Sequence, residues 1–403
     1  MRTAFPGPGG IAQSQPMMRG LLLGYALALG VAPVSGQVSG RIPEWTLERG
    51  VTIGSVDDPV YGLSRVGGVV ADAEHVFVLQ PQDGTVRVFS RAGEFVRDLG
   101  RRGEGPGELM RPNRMGWHGS RLWVTDPMSR RLTFFDVATG EAETIQYRAD
   151  VPGSIQRWIP FAVLANGQVV ASAEVTTAPG GLMAASEVPF IVTELDGALR
   201  DTLARQSIVG LIRKITAGMA SGQSWVVSPI QDQDLITFAP DGSSGVVVKR
   251  RSWDGGTAPA EFEVTRIDLH GDTVYRRSFE YEPRPVPPDF FDDQIASSID
   301  RPSINNRRAH ARALREFYEQ HRYFPPVASV VLGNDGTTWL AGLREEDGER
   351  EWLVLDGSGS VIGRLRPPGG IWFADLTECW VVERDAFDIP YVVRYDIVRQ
   401  PPP

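Results

Sequence analysis

A chain of 403 residues with 42% hydrophobic and 23% charged residues has a globular composition, which excludes a disordered or fibrous protein. Its net charge is −9, and only two lysines, Lys214 and Lys249, accompany the arginines. An acidic chain without a basic stripe argues against nucleic acid and anionic membrane surfaces as partners.

In chain order, the first expected element is an export signal. Met17-Met18-Arg19 precedes GLLLGYALALGVAPVSG, an apolar run that ends in small residues, with Val34 and Gly36 placed for cleavage before Gln37. The run is shorter than the about 20 apolar residues of a membrane span, so no stable span is expected after cleavage. The upstream MRTAFPGPGGIAQSQP lacks signal logic, and translation is expected to begin at Met17 or Met18. Removing residues 1–36 removes Arg2, Arg19 and no acid, which takes the net charge from −9 to −11. The mature chain is expected in the periplasm or outside the cell, as a monomer.

Beyond residue 44 the chain is built of short β-rich runs broken by Asp-Gly, Asn-Gly and Ala-Gly turns. HVFVLQPQDGTVRVFS (His75–Ser90) lies over RLWVTDPMSRRLTFFD (Arg121–Asp136) at a constant offset of 46, with Val78 on Val124 and Phe89 on Phe135. Looser copies follow at Phe190–Leu203, Ser224–Arg250, Phe262–Phe279, Gly336–Leu365 and Glu378–Val398. A β-sandwich gives no such fixed offset. A period of about 40–50 residues with four strands per unit marks a β-propeller, whose blades bury their faces only against neighbours. The expected fold is an all-β, six-bladed propeller forming a single domain over residues 37–400, with 205–282 divisible into one blade or two. The last copy is short of an outer strand, which Glu44–Val56 is expected to supply. Residues 401–403 are expected to fray.

Residues 283–326 break the pattern with a helical insertion. Its Asn305–Arg322 part has helix-forming composition, and Leu314, Phe317, Tyr318 and His321 fall on one face. It is expected to act as a lid over one end of the ring, or to pack against its side.

The stretch DLGRRGEGPGELMRPNRMGWHGSRLWVTDPMSRRLTFFD (Asp98–Asp136) resembles the NHL-repeat pattern, as does DGTVRVFSRAGEFVRDLG before it. The elements that match are Gly103 to Leu109, Pro112, Leu122 to Asp126, Arg131, and Phe134-Phe135-Asp136. The resemblance is to secreted bacterial six-bladed propellers related to NHL proteins. It departs from the pattern at Pro127-Met128-Ser129 and in the insertion. It implies the fold more than an activity, because propellers host binding, scaffolding, lyase and lactonase functions alike.

Of the chemical signals, the Gly-rich loop Gly100–Leu109 has neither dinucleotide nor Walker spacing. Glu104 and Glu108 would repel a phosphate, so it reads as a blade-to-blade turn. Cys379, in ECWVVE, reads as a buried small hydrophobe. Trp123, Trp225 and Trp339 occupy equivalent strand positions and read as packing between blades. The candidate ligand contacts are Trp158, where an inner strand begins, Arg114, and the turn from Asp126 to Arg130, all on the loop-bearing face. On the insertion helix they are His310 and Arg312. No cofactor is called for; a calcium or zinc ion held in the channel by ligands from separate blades is the alternative left open. The functional expectation is a module binding a protein, peptide or glycan through the loop face and insertion. The alternatives are a metal-assisted lyase or hydrolase in the channel, or an envelope scaffold.

Overall fold

The computed structural model describes residues 34–35, 42–151, 157–173, 187–220, 222–301, 303–345 and 348–399. The expected signal segment, apart from the backbone at 34–35, and the tail at 401–403 lie outside these residues.

Six four-stranded antiparallel sheets follow one another, each a meander whose first strand is innermost. Blade 1 spans Gly68–Ala71 to Phe95–Leu99, blade 2 Arg114–His118 to Ala142–Gln146, and blade 3 Trp158–Val163 to Leu199–Ser207. Blade 4 spans Leu235–Phe238 to Thr273–Glu280, where Val34–Ser35 adds a short parallel edge strand. Blade 5 spans Ser329–Leu332 to Val361–Leu365. Blade 6 takes three strands from Gly370–Ala374 to Pro390–Val398, and its fourth from Thr46–Ile53. The copies at Ser224–Arg250 and Phe262–Phe279 are therefore parts of one blade, not two. Ser224–Val227 leaves the ring and pairs with Ile212–Ile215. Trp225 goes with it, which corrects its assignment to blade packing.

A repeated device turns the strands. An aspartate side chain at the start of a turn accepts the N–H two residues on, as at Asp72, Asp241, Asp268, Asp335, Asp356, Asp375 and Asp385. The Gly-rich connection also closes on itself. Glu108 accepts the Gly105 N–H at 2.8 Å and pairs with Arg101, and Gly100 and Gly107 both take φ of 73°. The core lies between blades, where Phe77, Phe89, Phe134, Trp339, Trp352 and Trp380 are fully buried.

Ring closure rests on Trp45, just before the strand that completes blade 6. Its backbone N–H donates to the Arg364 carbonyl of blade 5 at 2.8 Å, and its ring meets Trp339 edge-to-face at 6.1 Å. The ring lies over Gly363, where a Cβ would come within 2.2 Å of it. Trp45 thus ties the N-terminal strand of blade 6 to blade 5.

The expected insertion is only half of a small lobe. Two connections build it: residues 208–230, leaving blade 3, and 283–326, leaving blade 4. Helices α1 (Asp292–Ile299) and α2 (Arg307–Tyr318) pack with the Ile212–Ile215 strand around Ile215, Ile230, Phe291, Leu314 and Phe317. Asn306 caps α2 by accepting the Ala309 N–H, and Arg315 pairs with Asp292 across the two helices. The sequence missed the partner segment because 208–230 carries strand-like runs that read as part of a blade.

The lobe joins the ring through buried polar groups. Arg250 donates to the carbonyls of Gln233 and Val327 at 2.9 and 2.7 Å. His321 Nδ1 lies 3.8 Å from Asp232 Oδ2, and both side chains are buried. Burial pushes the His321 imidazole below its ordinary value; Asp232 pulls the other way and Arg251 adds to the fall.

Replacing Trp45 with alanine should cost about 3–5 kcal/mol in urea denaturation; a change under about 1 kcal/mol would show that the ring closes without it. For His321, a folded pKa below the unfolded value of about 6.5 means that the stability it contributes is complete above that pH. It is lost as pH falls through the window beneath. The melting temperature should therefore drop more between pH 7 and pH 5 in the wild type than in His321→Gln. Equal drops would contradict a buried neutral imidazole.

Candidate functional site

Six inner strands cannot meet on the axis, and the space they leave is a channel of about 560 Å³. Every blade contributes to its wall, with Val69, Arg114, Phe161, Phe238, Val331 and Trp372 as one residue from each. Each inner strand begins where the connection from the preceding blade arrives. The strand starts therefore share a face with the Gly-rich loop and with both connections that build the lobe. The short turns between first and second strands occupy the opposite face.

On that opposite face, the Ala239–Ser243 turn of blade 4 reaches inward. The Pro240 carbonyl accepts the Trp117 N–H of blade 2 at 2.6 Å, and the Gly242 carbonyl accepts the Ala165 N–H of blade 3 at 3.1 Å. The Asp241 N–H donates to Asn334 Oδ1 of blade 5 at 3.3 Å. A turn bonded to blades 2, 3 and 5 lies across the channel's end. Gly242 permits this approach: its φ is 69°, and a Cβ would stand 2.4 Å from the Val163 carbonyl. Arg114 is three residues, or about 10 Å of strand, from this crossing and on the loop side.

Two register irregularities shape the wall. Pairing shifts between Pro160 and Ala162 leave Phe161 unpaired, and a shift between Ile371 and Phe373 does the same to Trp372. A bulge re-aims a side chain, and here each puts an aromatic ring into the channel. Phe161 packs edge-to-face on Phe190 and Phe238, which fixes its plane. Trp372 is 40% exposed, a large apolar surface left open on a strand of the hub.

Arg114 stands against this wall. Its guanidinium carbon is 3.6 Å from the Phe161 ring centroid. Among the described residues lining the channel it is the sole charged one, and none is an aspartate or glutamate. Burial alone pushes its pKa down to about 10, with no opposing carboxylate, so it stays protonated at neutral pH. A desolvated cation–π contact is worth about 2 kcal/mol. Arg114 is half-buried and keeps part of its surface open to the channel, and the ring does not replace a counter-ion for an unpaired charge.

The other expected contacts are placed elsewhere. Asp126 is 1% exposed and accepts the Met110 N–H at 2.6 Å and the Arg111 N–H at 3.3 Å, which pins the Gly-rich connection to blade 2. Arg130 occupies the next turn with φ of 53°. Trp158 starts the inner strand of blade 3, but its side chain is buried in the core of that blade and does not line the channel. His310 and Arg312 lie on α2. His310 is buried, bonded through Nδ1 to the Ala217 carbonyl at 2.8 Å, and lines a separate cavity of about 180 Å³ inside the lobe. Arg312 is exposed. Of the six, only Arg114 reaches the channel. Sequence reasoning missed Phe161, Phe238 and Trp372, whose runs WIPFAV, LITF and GIWFA show no alternation that would mark the inward residue.

A channel metal would need several converging ligands. Among the described residues no group of three or more His, Cys, Asp or Glu is placed to hold one. The channel wall offers a guanidinium, an amide and hydroxyls instead, a donor set unsuited to calcium or zinc. Cys379 is fully buried and its thiol is pushed up to about 12, which makes it inert. No helix among the described residues is long and apolar enough to cross a membrane.

The family model described as a 6-bladed beta-propeller, DUF5128, matches residues 62–152, which hold blades 1 and 2. Among curated proteins none matches the sequence. Similar solved structures include a DUF4221 family member from Bacteroides vulgatus, at 11% identity and a TM-score of 0.47, with 90% of this chain and 100% of that chain covered. A Bacteroides fragilis protein assigned as exported gives 11% identity and a TM-score of 0.46, covering 89% of this chain and 96% of that chain. Regucalcin, a calcium-binding protein from Agrobacterium tumefaciens, gives 11% and 0.38, with 87% and 96% covered. With six sheets in sequence and a family match across two of them, the chain is a six-bladed β-propeller carrying a helical insertion.

Proposed function

We propose that this chain is an exported binding module that takes its ligand through the loop-bearing face into the channel. The observation that carries the reading is the channel's asymmetry. One end is crossed by the Ala239–Ser243 turn, while the other lies on the face with the long connections and holds Arg114 and the bulge-lifted aromatics. A concave, mostly apolar cavity with few polar groups is the ordinary form of a ligand site, and about 560 Å³ is within the usual range of 300–1,000 Å³. The export reading rests on the apolar run before Gln37 and its small-residue end.

A protein, peptide or glycan partner is accommodated by the same geometry. It would lie across the loop face and seat one group in the channel. The lobe stands on that face too, built on connections that enter the inner strands of blades 4 and 5. The metal-assisted lyase or hydrolase is the weaker reading, because the described residues of the wall lack the ligand set it requires.

The neutral dye N-phenyl-1-naphthylamine should bind the protein saturably, one per chain, with enhanced fluorescence. Val331→Trp, which fills the channel, should abolish that binding. Val96→Trp, on an exposed edge strand of blade 1, should leave it unchanged. Equal binding by both variants would place the apolar site outside the channel and overturn the proposal.

A further inference from the structure

Resting on that reading, we propose that the channel's ligand is an anion carried on an apolar body, a carboxylate or sulfonate ending an aliphatic or aromatic group, with Arg114 as its counter-ion. The geometry selects this class by elimination. A cation would meet the Arg114 guanidinium with no acid among the described residues of the channel wall to offset it. A neutral apolar molecule would occupy the apolar wall but gain nothing from the guanidinium, which would stay without a counter-ion. A multiply charged phosphate would find a single cation among apolar walls. A singly charged acid group on an apolar body satisfies both parts of the site.

The residues beside Arg114 fit the acid group. Asn113 accepts the Thr125 hydroxyl proton on its side-chain oxygen at 2.8 Å, which orients its NH₂ as a second donor at the exposed start of the strand. Thr237 and Ser329 bring hydroxyls to the same channel from blades 4 and 5. The apolar body would lie against Phe161, Phe238 and Trp372. Phe161 already holds the guanidinium carbon over its ring at 3.6 Å, and a guanidinium stacked on a ring offers its N–H edges to a bidentate acid. The chain's overall negative charge does not oppose this. At ordinary ionic strength charges beyond about 10 Å are screened, and Arg114 acts at contact distance.

The test compares two dyes that share an arylaminonaphthalene body. 8-Anilinonaphthalene-1-sulfonate carries the acid group, and N-phenyl-1-naphthylamine lacks it. The wild type should bind the sulfonate more tightly. Arg114→Met should weaken the sulfonate by roughly ten- to hundredfold, the worth of a charge-assisted hydrogen bond, and change the neutral dye by less than about threefold. Arg114→Lys should fall between. The melting temperature of Arg114→Met should match or exceed the wild type, because an uncompensated charge is removed; a drop would assign Arg114 a structural role and overturn the proposal. Decanoate and acetyl-leucyl-phenylalanine, each against its amide, then separate a lipid acid from a peptide C-terminus as displacers of the sulfonate dye. Displacement by either acid alone supports the proposal, and displacement by the amides equally overturns it. If the neutral dye binds as tightly as the sulfonate and Arg114→Met changes neither, the anion assignment fails while the channel reading stands. If neither dye binds the wild type, the channel reading itself fails.

Discussion

A four-stranded sheet that is apolar on both faces cannot bury either face alone, and this constraint governs the whole molecule. Each blade needs a neighbour on each side, so six blades must close into a ring, and the ring must be sealed where the chain's two ends meet. Here the seal is the Thr46–Ile53 strand laid on Pro390–Val398, with Trp45 filling the space that Gly363 leaves beside Trp339. Closing the ring then fixes the inner strands around an axis that they cannot fill. The channel is a consequence of packing before it is a site.

What the protein does with that space is visible in where local rules are broken. Regular inner strands would line the axis with small alternating residues. Instead, bulges at Phe161 and Trp372 lift aromatic rings into the lumen, and one arginine stands half-buried there with no carboxylate among the described residues of the wall. A fold under selection for stability alone would replace that charge. Departures of this kind concentrate at functional sites, where stability is exchanged for a prepared interaction. The asymmetry of the two ends gives the channel a direction: the Pro240 turn crosses one, and the connections that vary most in length surround the other.

Much of this was legible in the sequence, and the reasons are physical. The 46-residue offset exposed the repeat because blades 1 and 2 share strand lengths and turn chemistry, down to Asp-rich turns and the glycines of Gly100–Leu109. The insertion helix was legible from its composition, and Leu314, Phe317 and Tyr318 are its buried face. Arg114 was placed on the correct face because the start of an inner strand is a topological position. Phe161 and Trp372 were not legible, because a bulge is a one-residue change of register inside an apolar run. Asp126 shows the opposite difficulty: in sequence, a carboxylate that pins backbone N–H groups carries no mark that separates it from one facing a ligand. The lobe's second segment was hidden because strands that leave a ring look like strands that build it.

On the proposed reading, an acid group on an apolar body seats in the channel at Arg114. The most direct measurement is a crystal structure of the protein soaked with 4-iodobenzoate, located by the anomalous scattering of iodine. An iodine peak is expected among Phe161, Phe238 and Trp372, with the carboxylate within about 3 Å of the Arg114 guanidinium. An iodine peak in the lobe cavity beside His310, or on a blade's outer edge with the channel left to solvent, would contradict that reading.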